Sequence, residues 1–177
     1  MTPNSDRQVA EARFEGAFSH LGRVAAYARR RGSPDPDAIA AETMTIAWRR
    51  LSQVPADDPL PWLYATARNL VLAEPRRRLR QAGRLAEPEI SSAPELGGLD
   101  PELEQALRSL RPADREALLL VAWEDLTPSQ AARALGLAPT AFRVRLLRAR
   151  RRLRAALDAA ADEQRPTRLA HLDVEGT

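Results

Sequence analysis

The stretch from Leu126 to Leu153, LTPSQAARALGLAPTAFRVRLLRARRRL, narrows the possible folds more than any other part of the chain. Ser129 to Leu135 follows a helical pattern, and Gly136 then interrupts it. Glycine reaches the left-handed conformation that closes a helix C-terminus at little steric cost. Pro139 opens a second helical pattern, at a first-turn position where its missing N–H would have had no intrahelical partner. Two short helices joined by a glycine turn make a helix-turn-helix.

On the second helix Phe142, Leu146, Ala149 and Leu153 recur at i, i+4, i+7 and i+11, one apolar stripe that packs inward. The other side carries Thr140, Val144, Arg148 and Arg151, flanked by Arg143, Arg145, Arg150, Arg152 and Arg154. So many guanidinium groups repel one another unless an anion balances them. A solvated basic helix in a bundle would carry the same arginines. The glycine turn together with the charge favours a groove of DNA.

Composition fits helices. Apolar residues make up 44% of the 177 and aromatics only 5%, so strands look scarce and the chain suits one medium domain or two small ones. All 27 basic residues are arginine, and the net charge is +3. Absence of cysteine excludes disulfides and thiolate metal sites. No apolar run has the length of a membrane span, and the N-terminus MTPNSDRQVAEARF lacks the apolar core of a signal peptide, so the chain reads as cytoplasmic, without membrane insertion.

In chain order, Phe14, Phe18, Leu21, Ala25 and Ala28 form a stripe that predicts one helix from Val9 to about Arg31. The breaker cluster Gly32 to Pro36 ends it, and Asp37 suits the start of the next helix, which runs to about Leu51. Its core stripe is Ala40, Met44, Ala47, Trp48 and Leu51; Glu42, Thr45 and Arg49 lie on the other side. SQVPADDPLP is a proline-rich loop leading into a helix that starts at Trp62. Leu63, Ala67, Leu70 and Val71 can pack inward there, leaving Tyr64, Arg68 and Asn69 near the surface. Aromatics beside arginine can stack unpaired bases, although Trp62 reads equally well as a core residue. Pro75 should kink or end this helix near Ala73 or Glu74, ahead of Arg76, Arg77, Arg78 and Arg80.

Residues 81–100 lose periodicity and accumulate glycine, proline, serine and glutamate, as a flexible acidic linker does. Beyond it, helices start at Pro101 and near Pro112. Residues 158–177 read as a disordered tail. The fold class is therefore all-α, two small helical domains joined by a flexible linker, the second holding the helix-turn-helix.

The segments DAIAAETMTIAWRRL and DDPLPWLYATARNL, a linker, then LRPADREALLLVAWEDLTPSQAARALGLAPTAFRVRLLRARRRL together resemble the extracytoplasmic-function sigma factors of bacterial RNA polymerase over about residues 12–155. The resemblance implies a domain at 10–80 that binds core polymerase and melts the minus-ten element, and a domain at 101–157 that reads the minus-thirty-five element. Glu42, Thr45, Ile46 and Arg49 match positions that contact the polymerase clamp. Val54 to Pro61 matches the loop that accepts a flipped base, with Trp62, Tyr64, Arg68, Asn69 and Arg76 on or after the adjoining helix as minus-ten contacts. Thr140, Ala141, Arg143, Val144, Arg145 and Arg148 match minus-thirty-five groove and backbone contacts. The implied partners are core polymerase and promoter DNA, and family members are often held by an anti-sigma factor.

Three positions depart from the family pattern. Val144 replaces a small polar residue and suits a thymine methyl. Ala138 replaces a Ser or Thr cap, at a cost of about 1 kcal/mol. Pro75 shortens the helix expected to carry phosphate contacts. Two other readings use the same residues: a stand-alone helix-turn-helix regulator, or a degenerate sigma-like regulator that no longer melts DNA. Only His20 and His171 are available for acid–base work, and no HExxH or Gly-rich phosphate loop is present, so no catalytic residue, metal site or cofactor is expected.

Overall fold

A computed structural model describes residues 3–82 and 98–170, with side chains described over 7–75 and 98–162. Among the described residues the chain is helical without strands: α1 (Pro3–Phe18), α2 (Leu21–Arg30), α3 (Pro36–Arg49), a 3-10 turn (Leu51–Gln53), α4 (Leu60–Ala82), α5 (Pro101–Ser109), α6 (Pro112–Ala122), α7 (Pro128–Ala134) and α8 (Pro139–Ala170). Two compact units share them. Described residues of Met1–Glu95 and Ser129–Leu137 form the first, and those of Leu96–Pro128 and Ala138–Thr177 the second. Most of the linker, residues 83–97, lies outside the described residues.

In the first unit α2, α3 and α4 pack together and α1 lies against α3. The core is built from Val24, Tyr27, Ala28, Ile39, Ala40, Met44, Ala47, Leu63, Tyr64 and Ala67. The single helix expected over Val9 to Arg31 is in fact two. Apolar spacing runs in phase through the break, so periodicity could not detect it. Local bonds close the end of α1: the Ser19 hydroxyl donates to the Gly16 carbonyl at 2.8 Å, and the His20 N–H donates to that of Ala17.

Gly32 turns α2 into α3 at φ 72°. The cap of α3 is Asp35, two residues before the expected start, whose carboxylate accepts the Ala38 N–H at 3.0 Å with Pro36 in the first turn. Helix α4 begins at Leu60 rather than Trp62, and it runs on through Pro75. Proline removes one backbone bond and costs about 3 kcal/mol, yet Leu72 to Glu74 and Arg76 to Ala82 are good helix formers. One missing bond does not end a helix that propagates on both sides.

In the second unit α5 and α6 pack on α8. Asp100 caps α5 by accepting the Glu102 N–H at 2.9 Å. Ala106, Leu107, Ala117, Leu119 and Leu120 meet Phe142, Leu146 and Ala149 in the core, as the stripe on α8 predicts. Helix α8 continues to Ala170, past the point where the tail was expected to begin. ALDAAADEQ is rich in strong helix formers, and high propensity can prolong a helix whose amphipathic pattern has faded. Residues 171–177 lie outside the described residues.

Candidate nucleic-acid interface

The turn between α7 and α8 is built from backbone bonds. Gly136, at φ 64°, donates to the Arg133 carbonyl at 3.1 Å, and Leu137 donates to that of Ala132 at 2.9 Å. These bonds satisfy carbonyls that the end of α7 would otherwise leave unpaired. Pro139 then opens α8, and the Phe142 N–H donates to the Ala138 carbonyl at 3.0 Å.

Along α8, Phe142, Leu146 and Ala149 are buried while Thr140, Ala141, Arg143, Val144, Arg148 and Arg151 are exposed; Arg145 is half-buried. Arg152 is committed elsewhere: it pairs with Asp114 on the first turn of α6. Asp114 is only 6% exposed, so its charge needs this partner. Periodicity had counted Arg152 among the basic flank. Its pairing with Asp114 instead locks the rotation of α8, directing the arginines at 143, 148 and 151 outward.

The first unit presents a different surface. Thr45 and Arg49 are exposed, and Glu42 and Ile46 half-buried. Ile46 and Arg49 join Arg50, Thr66, Asn69 and Leu70 around an open groove of about 500 Å³. It brings two residues expected at the polymerase face together with one expected at the minus-ten element. Trp62 and Arg68 are half-buried and Asn69 exposed, whereas the side chain of Arg76 lies outside the described residues.

Two aromatics exchange roles relative to the sequence reading. Tyr64, expected at the surface, is 1% exposed and stacks on Tyr27 with centroids 4.7 Å apart and planes at 22°. The Arg31 guanidinium lies 3.8 Å from the Tyr27 ring centre, a cation–π contact that closes this stack. Trp48, expected in the core, is 50% exposed and meets the edge of Phe14 at 5.0 Å. Helix α1 turns Phe14 toward Trp48, a tertiary contact that spacing within α3 cannot reveal.

The Val54–Pro61 loop is anchored at its start, where the Val54 carbonyl accepts from Arg13 Nη2 at 2.7 Å. Farther along, the Asp58 carboxylate pairs with Arg133 and accepts Gln130 Nε2 at 3.1 and 3.2 Å, two partners on α7 that sequence reading missed. Burial holds the His20 imidazole below its ordinary pKa and Arg23 adds to the effect, while Asp58 partly opposes it. Among the described residues no cluster of His, Asp or Glu could hold a metal ion, and no helix is long and apolar enough to cross a membrane.

Residues 101–153 match the sigma-70 region 4 family. Over its length the chain is 29% identical to the RNA polymerase sigma factor NccH of Alcaligenes xylosoxydans xylosoxydans, across 89% of this chain and 97% of that protein. The chain is an extracytoplasmic-function sigma factor. The solved structure of CnrH in complex with the cytosolic domain of CnrY is similar to this sigma factor at a TM-score of 0.57 and 27% identity, covering 87% of this chain and 97% of that one. The sigma factor RpoE of Bartonella quintana, solved with the anti-sigma factor NepR, shares the fold at a TM-score of 0.55 and 22% identity over 89% and 98% of the two chains. Sigma factors direct polymerase to promoters and as a family are not enzymes.

Proposed function

We propose that this sigma factor divides promoter recognition between residues 10–80 and residues 101–157. In the second segment the N-terminal half of α8 enters the major groove of the minus-thirty-five element, where helix-turn-helix proteins place the start of their second helix. Arg143, Arg145 and Arg148 supply bidentate contacts to guanine or clamps on phosphate, Thr140 and Ala141 approach the backbone, and Val144 meets a thymine methyl. The observation that carries this reading is the exposed, arginine-rich face of α8 inside the region 4 match.

In the first segment Glu42, Thr45, Ile46 and Arg49 contact the polymerase clamp. The Val54–Pro61 loop, with Trp62, Arg68, Asn69 and Arg76, holds the opened minus-ten strand. Flipping a base out of a duplex costs a few kcal/mol, which stacking and hydrogen bonds in the site must offset. Tyr64 supports this region from the core. The factor has no catalysis of its own, works in the cytoplasm, and is held inactive by an anti-sigma partner, as CnrH and RpoE are each seen with CnrY and NepR.

Run-off transcription with purified bacterial core polymerase, scoring permanganate-reactive thymines near the start site, tests the reading. Factor-dependent transcripts with local melting are expected. Core binding without melting favours a degenerate regulator; DNA binding by a factor that ignores core favours a stand-alone regulator.

A further inference from the structure

Asp58 lies in the loop assigned above to the minus-ten strand, and Gln130 and Arg133 lie on the first helix of the helix-turn-helix. Yet Asp58 holds both of them, across 72 and 75 residues of chain. The minus-ten and minus-thirty-five elements are separated by roughly 25 base pairs, about 85 Å of duplex at 3.4 Å per pair. Side chains within hydrogen-bonding distance in the free chain cannot stay together when the loop and α7 occupy elements that far apart. We infer that Asp58, Gln130 and Arg133 form a latch that closes the free factor and must open before both promoter elements are engaged.

This inference rests on the two-element reading above. The contact has the chemistry of a reversible clasp. One carboxylate takes an amide and a guanidinium, so the bonds are charge-assisted and directional. The Arg133 side chain is half exposed, and exposed ion pairs are individually weak. Such a clasp can bias the free chain toward a closed form and still yield to polymerase. Closure also accounts for the membership of α7 in the first compact unit although it precedes α8 by only a short turn. An apparent affinity measured on a mostly closed protein is reduced by the fraction that is open.

The test compares the free full-length protein with Arg133→Ala, Asp58→Ala and the exchanged pair Asp58→Arg with Arg133→Asp. Two readouts are taken: amide hydrogen exchange over residues 54–61 and 128–137, and affinity of each labelled protein for purified bacterial core polymerase. A latch predicts that each single variant speeds exchange in both segments together and binds core about three- to tenfold tighter, with both effects reversed in the exchanged pair. Unchanged exchange overturns the latch, as does faster exchange with unchanged core affinity. Weaker core binding by Asp58→Ala, with Arg133→Ala unchanged, overturns it by making Asp58 part of the polymerase interface. If no form binds core while exchange in the two segments remains coupled, the two-element reading fails, and the latch loses its regulatory meaning with it.

Discussion

The basic face of α8 and the groove between α3 and α4 are both exposed, and both are expected to meet a partner, yet they are built in opposite ways. On α8 the surface is a property of one helix: Phe142, Leu146 and Ala149 go inward and the arginines remain outside. The groove takes Ile46, Arg49 and Arg50 from one helix and its end, and Thr66, Asn69 and Leu70 from another. A surface held by one helix survives small shifts of its neighbours. A surface shared by two helices depends on the core that sets their spacing, and in the first unit that core is centred on the Tyr27–Tyr64 stack.

The contrast predicts a large effect for Tyr64→Ala. Removing a fully buried aromatic costs about 3–5 kcal/mol, so thermal or urea unfolding should show the first unit collapsing, with promoter melting lost as a consequence. Tyr64→Phe keeps the stacked ring and should retain melting. If Tyr64→Ala kept its stability and lost only melting, the tyrosine would be a DNA contact after all, and the distinction between the two surfaces would weaken.

Asp114→Ala should come next. It strands Arg152 and removes a buried carboxylate, but Arg152 is nearly half exposed and can rehydrate, so about 2–3 kcal/mol is expected, below the range for a fully buried pair. Unfolding midpoints should fall, and affinity for a minus-thirty-five duplex should fall further than stability alone explains, because α8 loses its rotational lock. Arg148→Ala should leave the midpoint unchanged while weakening that duplex by about 1–3 kcal/mol if it reads a guanine. A uniform loss across sequences, with a shallower salt dependence, would reassign it to phosphate.

The smallest effect concerns pH. Burial lowers the folded-state pKa of His20 below its ordinary value near 6.5. The unfolded chain therefore takes up a proton that the folded chain resists, and stability declines as pH falls through 6.5. Wild-type protein should lose slightly more thermal stability between pH 7.5 and 5.5 than His20→Gln. An equal loss in both would show that other groups govern the acid limb.

The amino-acid sequence by itself determined the helical class, the glycine turn at Gly136, the start of α8 at Pro139 and the division of α8 into apolar and basic faces. These depend on backbone preferences and on a 3.6-residue period, which act over a few residues. Only the tertiary structure decided that Tyr64 is core and Trp48 surface, that Arg152 serves Asp114, and that Asp58 reaches α7. Each of those outcomes turns on which helix lies opposite, and a periodic pattern records that a side chain faces a neighbour without recording which neighbour it is. Pro75 and the break at Ser19 show the same limit along the backbone: a local breaker was overridden by strong flanking helix, and an uninterrupted stripe was cut by two side-chain and backbone bonds.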